Sequence, residues 1–144
     1  MSFDVLNRFS NSQSVSGSAA STDIVDTVAD RNIGMGEPMA VVINTETAAD
    51  STTGDETYSF EIRTGSTSSP TTVIASRAIL AAALVAGASH IIPVPADTQV
   101  DRYLRVHFAF GGTTPTWTGS VFLAPLSHAQ QLVAGGYAAG VTEV

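Results

Sequence analysis

The segment RYLRVHFAF, residues 102–110, constrains the fold more than any other part of the chain. Leu104, Val106, Phe108 and Phe110 recur at every second position, and Tyr103, Arg105, His107 and Ala109 fill the positions between. A β-strand points successive side chains to opposite faces, so this period of two predicts a strand with one apolar and one polar surface. No helical spacing collects the apolar residues in that way.

Shorter signals of the same kind run along the chain. Thr22 to Val28 is a first candidate strand. Pro38 to Asn44 (PMAVVIN) is almost continuously apolar, as suits a strand buried on both faces. Tyr58, Phe60 and Ile62 alternate with Ser59, Glu61 and Arg63. Val73 to Ile79 and Trp117 to Ala124 are further candidates, and LAAALVAG (80–87) suits one or two helical turns closed by Gly87. In IIPVP (91–95) each proline restricts the residue before it and removes a backbone donor, which predicts an edge strand or a strand end. TETAADSTTGDE, GSTSSP and GGTTPT are polar turn or loop sequences.

Seven or eight strands with at most one short helix predict an all-β fold, an antiparallel β-sandwich. Eight strands in a chain of 144 residues fit a jelly roll. The chain reads as a single domain, 1–144, with an N-terminal arm over 1–18, a sandwich core over 19–126 and a C-terminal tail over 127–144. By composition SNSQSVSGSAAS reads as a linker or an edge strand, but the arm also carries Phe3, Val5, Leu6 and Phe9, which are costly to leave in water. That cluster either docks on a neighbour or is the first packed piece of this domain.

Charge and composition exclude several functions. Six arginines and no lysine face thirteen carboxylates, for a net charge of −7. Nucleic-acid affinity comes largely from cations that neutralise phosphates, so no nucleic-acid partner is expected. An anionic membrane surface is disfavoured for the same reason. The apolar stretch Ile79 to Ile92 is too short and too interrupted to span a bilayer. MSFDVLNRFSNSQ lacks the basic start and apolar run of a secretory signal. Without cysteine there is no disulfide framework and no thiol chemistry. A soluble protein synthesised in a cytoplasm is the expectation.

No catalytic constellation is legible. Asp23, Asp26 and Asp30, and the pair Asp55 and Glu56, read as solvated turn residues, since nothing in their spacing sets two carboxyls across a cleft. DSTTGDE (50–56) departs from a calcium loop at Thr52 and Gly54. His90, His107 and His128 lack metal-ligand spacing, GMGE (34–37) lacks a phosphate-loop lysine, and no GxSxG is present. Neither a metal nor a cofactor is expected. Tyr103, Arg105 and His107 sit about 7 Å apart along one strand face, too far for a hydrogen-bonded triad. They form either a solvated sheet face or a protein contact surface, since arginine and tyrosine are enriched in interfaces.

The order of features is similar to that of a known family. SGSAASTDIVDT, RNIGMGEPMAVVI, YSFEIRT, SSPTTVIAS, LVAG with IIPVP, DRYLRVHF and TWTGSVFLAPL together resemble the capsid cement proteins of tailed bacteriophages, also called decoration or head-stabilising proteins. The likeness covers residues 12 to 126. It implies a jelly-roll virion protein on the outer surface of the mature, expanded capsid, where it bridges neighbouring major capsid subunits. It also implies self-association, with a homodimer preferred to a homotrimer, and no catalytic residues. Under that reading Phe3, Val5, Leu6, Phe9, Tyr103, Arg105 and His107 are the candidate contacts with capsid or a sister subunit. The competing expectation is a carbohydrate- or receptor-binding sandwich on a virion surface, which requires exposed aromatic side chains for sugar stacking. Trp117, at the start of a strand, reads instead as core or interface.

Overall fold

The computed structural model describes residues 8–26, 31–33, 39–94, 98–127 and 129. Eleven strands occur among them: β1 (Arg8–Ser16), β2 (Ala19–Ala20), β3 (Val25–Asp26), β4 (Arg31–Ile33), β5 (Met39–Thr47), β6 (Thr57–Gly65), β7 (Thr72–Ala78), β8 (Ser89–Val94), β9 (Thr98–Val100), β10 (Tyr103–Gly111) and β11 (Thr116–Pro125). A short 3-10 turn, Ala81–Ala83, falls in the expected helical stretch. Gly87 follows it at φ +85°, a left-handed conformation that glycine adopts without penalty.

Two antiparallel sheets make the sandwich. One runs β1-β11-β5-β8; the other runs β2-β10-β6-β7, with β3 continuing β2 along the edge of β10. Strands from the two ends of the chain interleave in both sheets, which is the jelly-roll arrangement. With β2 and β3 taken as one broken strand, the roll has eight members. β4 and β9 pair apart from it.

The alternation of residues 102–110 appears in space as the sequence requires. Leu104, Val106, Phe108 and Phe110 are buried between the sheets, while Tyr103, Arg105, His107 and Ala109 face outward, half-buried. β6 repeats the pattern beside it, with Tyr58, Phe60, Ile62 and Thr64 inward. The inward aromatics meet edge to face. Phe60 lies 5.8 Å from Phe108, 5.4 Å from Phe110 and 5.3 Å from Trp117. Such pairs are worth about 0.5–1.5 kcal/mol each beyond their area.

β5 is buried on both faces, as its unbroken apolar run predicts. Val41 and Ile43 enter the main core, and Ala40 and Val42 enter a second cluster with Phe122, Ala124 and Ala129 on the outside of the β1-β11-β5-β8 sheet. β8 lies at the edge of that sheet, where a proline is tolerated. There Arg77 Nη1, from edge strand β7 of the other sheet, donates to the Ile91 carbonyl at 2.8 Å.

The expected N-terminal arm is shorter than its composition implied. Residues 8–16 form edge strand β1, paired to β11, with Phe9 and Val15 in the core. Register shifts between Arg8 and Gln13, and a positive φ at Ser12, interrupt the alternation; of the two readings of this serine-rich stretch, linker or edge strand, residues 10–16 take the edge strand. Of the Thr22 to Val28 candidate, the strand covers Val25–Asp26 among the described residues. Most of the expected C-terminal tail lies outside the described residues; Leu126 and Ala129 pack on the second cluster.

Candidate functional site

The outward face of β10 and β6 gathers the polar side chains that the two alternating sequences place there. The antiparallel register sets Arg105 opposite Arg63 and His107 opposite Glu61. The β6–β7 connection then folds back over this face. Gly65 permits the fold: a Cβ there would sit 2.8 Å from the Pro70 Cα, closer than real Cβ contacts allow.

Arg105 ties the elements together. Its Nε donates to the Ser21 carbonyl at 2.8 Å and its Nη1 to the Ser68 carbonyl at 3.0 Å. One guanidinium thus links the β2–β3 edge, the strand β10 and the overhanging 66–71 connection. Beneath the overhang is an open cavity of about 220 Å³, bordered by Arg63, Arg105, His107, Pro70, Thr71 and Ala20 among others.

The electrostatics of this cavity are uneven. Glu61 Oε1 accepts from Arg63 Nε at 3.0 Å and from Nη2 at 2.6 Å. Burial, and then the neighbouring Arg63 charge, hold His107 below its ordinary protonation range, with Glu61 acting in the opposite sense. The imidazole is therefore neutral at pH 7 and the face carries an excess of arginine charge. Such a surface can dock an anionic group. Nothing among the described residues pairs a nucleophile with a base there.

Of the residues singled out from sequence, Tyr103, Arg105 and His107 share this face. The Arg102 guanidinium lies 5.0 Å from the Tyr103 ring centroid and grips Asp26 through Nε and Nη2, both at 2.9 Å. Phe9 does not join them; it is fully buried in the core. Phe3, Val5 and Leu6 lie outside the described residues. Arg63 and the Ser69–Thr71 overhang complete the cavity and were absent from the sequence-based candidates. Alternation had put Arg63 on an outward face, but the register that brings it opposite Arg105 is not encoded locally.

The 50–56 loop holds its acids with hydroxyls. Thr53 Oγ1 donates to Asp55 at 2.7 Å and to Glu56 at 2.5 Å, and Thr113 reaches Asp55 through both its amide and its hydroxyl. The Thr53 bond, foremost in each case, keeps both carboxyls below their ordinary range. Among the described residues no three histidine, aspartate or glutamate side chains converge as a metal site.

A protein-family model described as Bbp16 matches residues 9–124, which spans the whole jelly roll from β1 to β11. No curated protein matches the sequence significantly. Among solved structures the chain is similar to one from the infectious bursal disease virus Gx strain, at 12% identity and a TM-score of 0.34. That match covers 81% of this chain and 30% of the viral one. A superposition so loose adds nothing to the fold derived above.

Proposed function

The chain belongs to the Bbp16 family, and on that footing we propose that it is a structural virion protein of a tailed phage, bound to the outer surface of the mature capsid. It bridges neighbouring major capsid subunits, acts as a homodimer, and carries out no catalysis. The family match over 9–124 falls on nearly the same stretch, 12–126, that resembles capsid cement proteins. One structural observation carries the reading: the roll presents a half-buried face with two arginines and a histidine around a cavity, and no catalytic pairing among the described residues. Such a face suits binding. Its contacts need not be strong singly, because many copies on one lattice add by avidity. The excess of negative charge over the whole chain is compatible with a place outside the shell, away from packaged DNA.

A carbohydrate-binding role finds less support. Trp117 and Tyr58 are core residues at 1% and 2% exposure, and the outward ring of Tyr103 has the Arg102 guanidinium over it at 5.0 Å, so none of the three offers a free stacking platform.

The test is to mix the purified chain with expanded heads and with unexpanded procapsids and image both. Saturating decoration of expanded heads alone is expected. Binding to neither, or binding to glycans instead, would overturn the proposal. The part played by Phe3, Val5 and Leu6 is tested by deleting residues 1–7. The cut must stop there, because Phe9 belongs to the core.

A further inference from the structure

The cavity over β6 and β10 holds a charge imbalance that its own side chains do not resolve. Arg63 and Arg105 are opposed in register, where like charges repel. Between them they have one carboxylate, Glu61, and it is engaged by Arg63 Nε and Nη2. Among the described residues Arg105 is engaged only by two backbone carbonyls. Among the described residues, the ion pairs of Arg8, Arg63 and Arg102 each include a carboxylate, and none pairs with Arg105. Neither Arg63 Nη1 nor Arg105 Nη2 has a hydrogen-bond partner among those residues. Both arginines border the same open space of about 220 Å³.

We propose that this cavity binds one carboxylate group, presented by an Asp or Glu side chain of a partner protein and held between Arg63 Nη1 and Arg105 Nη2. Charge sets the valence of the ligand. Two guanidinium charges less the one on Glu61 leave a single positive charge, which a monoanion neutralises. A phosphate dianion would instead leave an extra negative charge beside Glu61. One terminal nitrogen is left on each guanidinium, so each donates one charge-assisted hydrogen bond and the two oxygens of a single carboxylate take one apiece. The volume is below that of a drug-sized pocket, enough for one side chain entering from outside. The half-buried setting makes the pairing stronger than it would be in open water. This site goes beyond the capsid reading and does not depend on it: retention on capsids through other surfaces would leave it unaffected.

His107 reports on occupancy. It borders the cavity, faces Glu61 and Arg63 across the ladder, and shares its strand face with Arg105. An added carboxylate favours the imidazolium, so binding moves the His107 titration upward.

The experiment is NMR on the full chain, titrated with acetate, with an N-acetylated and C-amidated Gly-Glu-Gly peptide, and with inorganic phosphate. The peptide is expected to shift the Arg63 and Arg105 Nε–H signals saturably and to raise the His107 midpoint, with phosphate markedly weaker. Arg63→Gln leaves the Arg105 tether to Ser21 and Ser68 in place. It should weaken peptide binding at least about tenfold. Arg63→Lys, which keeps the charge and loses the fork, should recover only part of that affinity. No saturable shift, saturation unchanged in Arg63→Gln, tighter binding of phosphate, or saturation by acetate but not by the peptide would each overturn the proposal. Capsid decoration scored in parallel separates failure of this site from failure of the proposed function.

Discussion

The indole ring of Trp117 occupies the space in which a side chain at residue 119 would sit. A Cβ on Gly119 would collide with the ring's Cζ2 and with the Asn44 carbonyl oxygen, and would lie 2.7 Å from Cη2. The ring cannot retreat easily, because Phe60 and Phe108 hold it with centroids 5.3 and 5.5 Å away. Gly119→Ala should therefore destabilise the fold by about 2–3 kcal/mol through overpacking. Chemical denaturation checks this, and an unchanged midpoint would contradict the packing described.

The same ring fixes its partner on β5. Trp117 Nε1 donates to Thr45 Oγ1 at 3.1 Å, and both residues are buried. Thr45→Val keeps the shape and strands the indole donor without an acceptor. The expected cost is about 1–3 kcal/mol, the penalty of a buried unpaired donor. Thermal or denaturant unfolding of the variant against the parent measures it.

Arg102 and Arg105 should differ in worth. Arg102 grips Asp26 in an exposed pair, which contributes little and weakens with salt. Arg105 holds two carbonyls in a half-buried setting, so Arg105→Ala should cost more, about 2 kcal/mol. It should also release the 66–71 connection. Hydrogen exchange there would rise in Arg105→Ala and stay unchanged in Arg102→Ala.

Stability should fall on acidification below pH 6.5. His90 is held below that ordinary value by burial, then by the Arg77 charge, and its Nδ1 is buried without a partner among the described residues. His107 is lowered in the same sense. For each, the unfolded chain takes up the proton first, so the stabilisation is full above pH 6.5 and is lost as pH falls. Denaturation midpoints at pH 7.5 and 5.5 should differ, and His90→Gln should reduce the difference. Asp55 and Glu56, both lowered, act below the ordinary carboxylate range and do not confuse this window.

The alternating strands were legible because burial on one face imposes a period of two, and β6 and β10 obey it along their whole length. The prolines of 91–95 likewise marked an edge. β1 was legible only as one of two readings, linker or edge strand: Phe9 and Ser10 are both buried across an irregular register, so alternation fails where the strand begins and does not decide between them. Half of the candidate site was readable, as Tyr103, Arg105 and His107. The other half was not, because Arg63 and the overhang arrive by strand pairing and a folded-back connection. Phe9, conspicuous as an apolar residue in a polar segment, was conspicuous because it is core.

The contact between Arg77 and the Ile91 carbonyl bears on how copies of this chain can meet. Residues 91 and 93 point their backbone groups to the same side of β8. On that side the acceptor at Ile91 is taken by a side chain, and Pro93 has no amide hydrogen to offer. A visiting strand would find two of the ladder's positions unavailable there. At this margin the sheet is blunted against growth by strand addition, because an edge that lacks one donor and has one acceptor occupied is a poorer template for another strand. Association there is left to side chains, which can be specific and can let go.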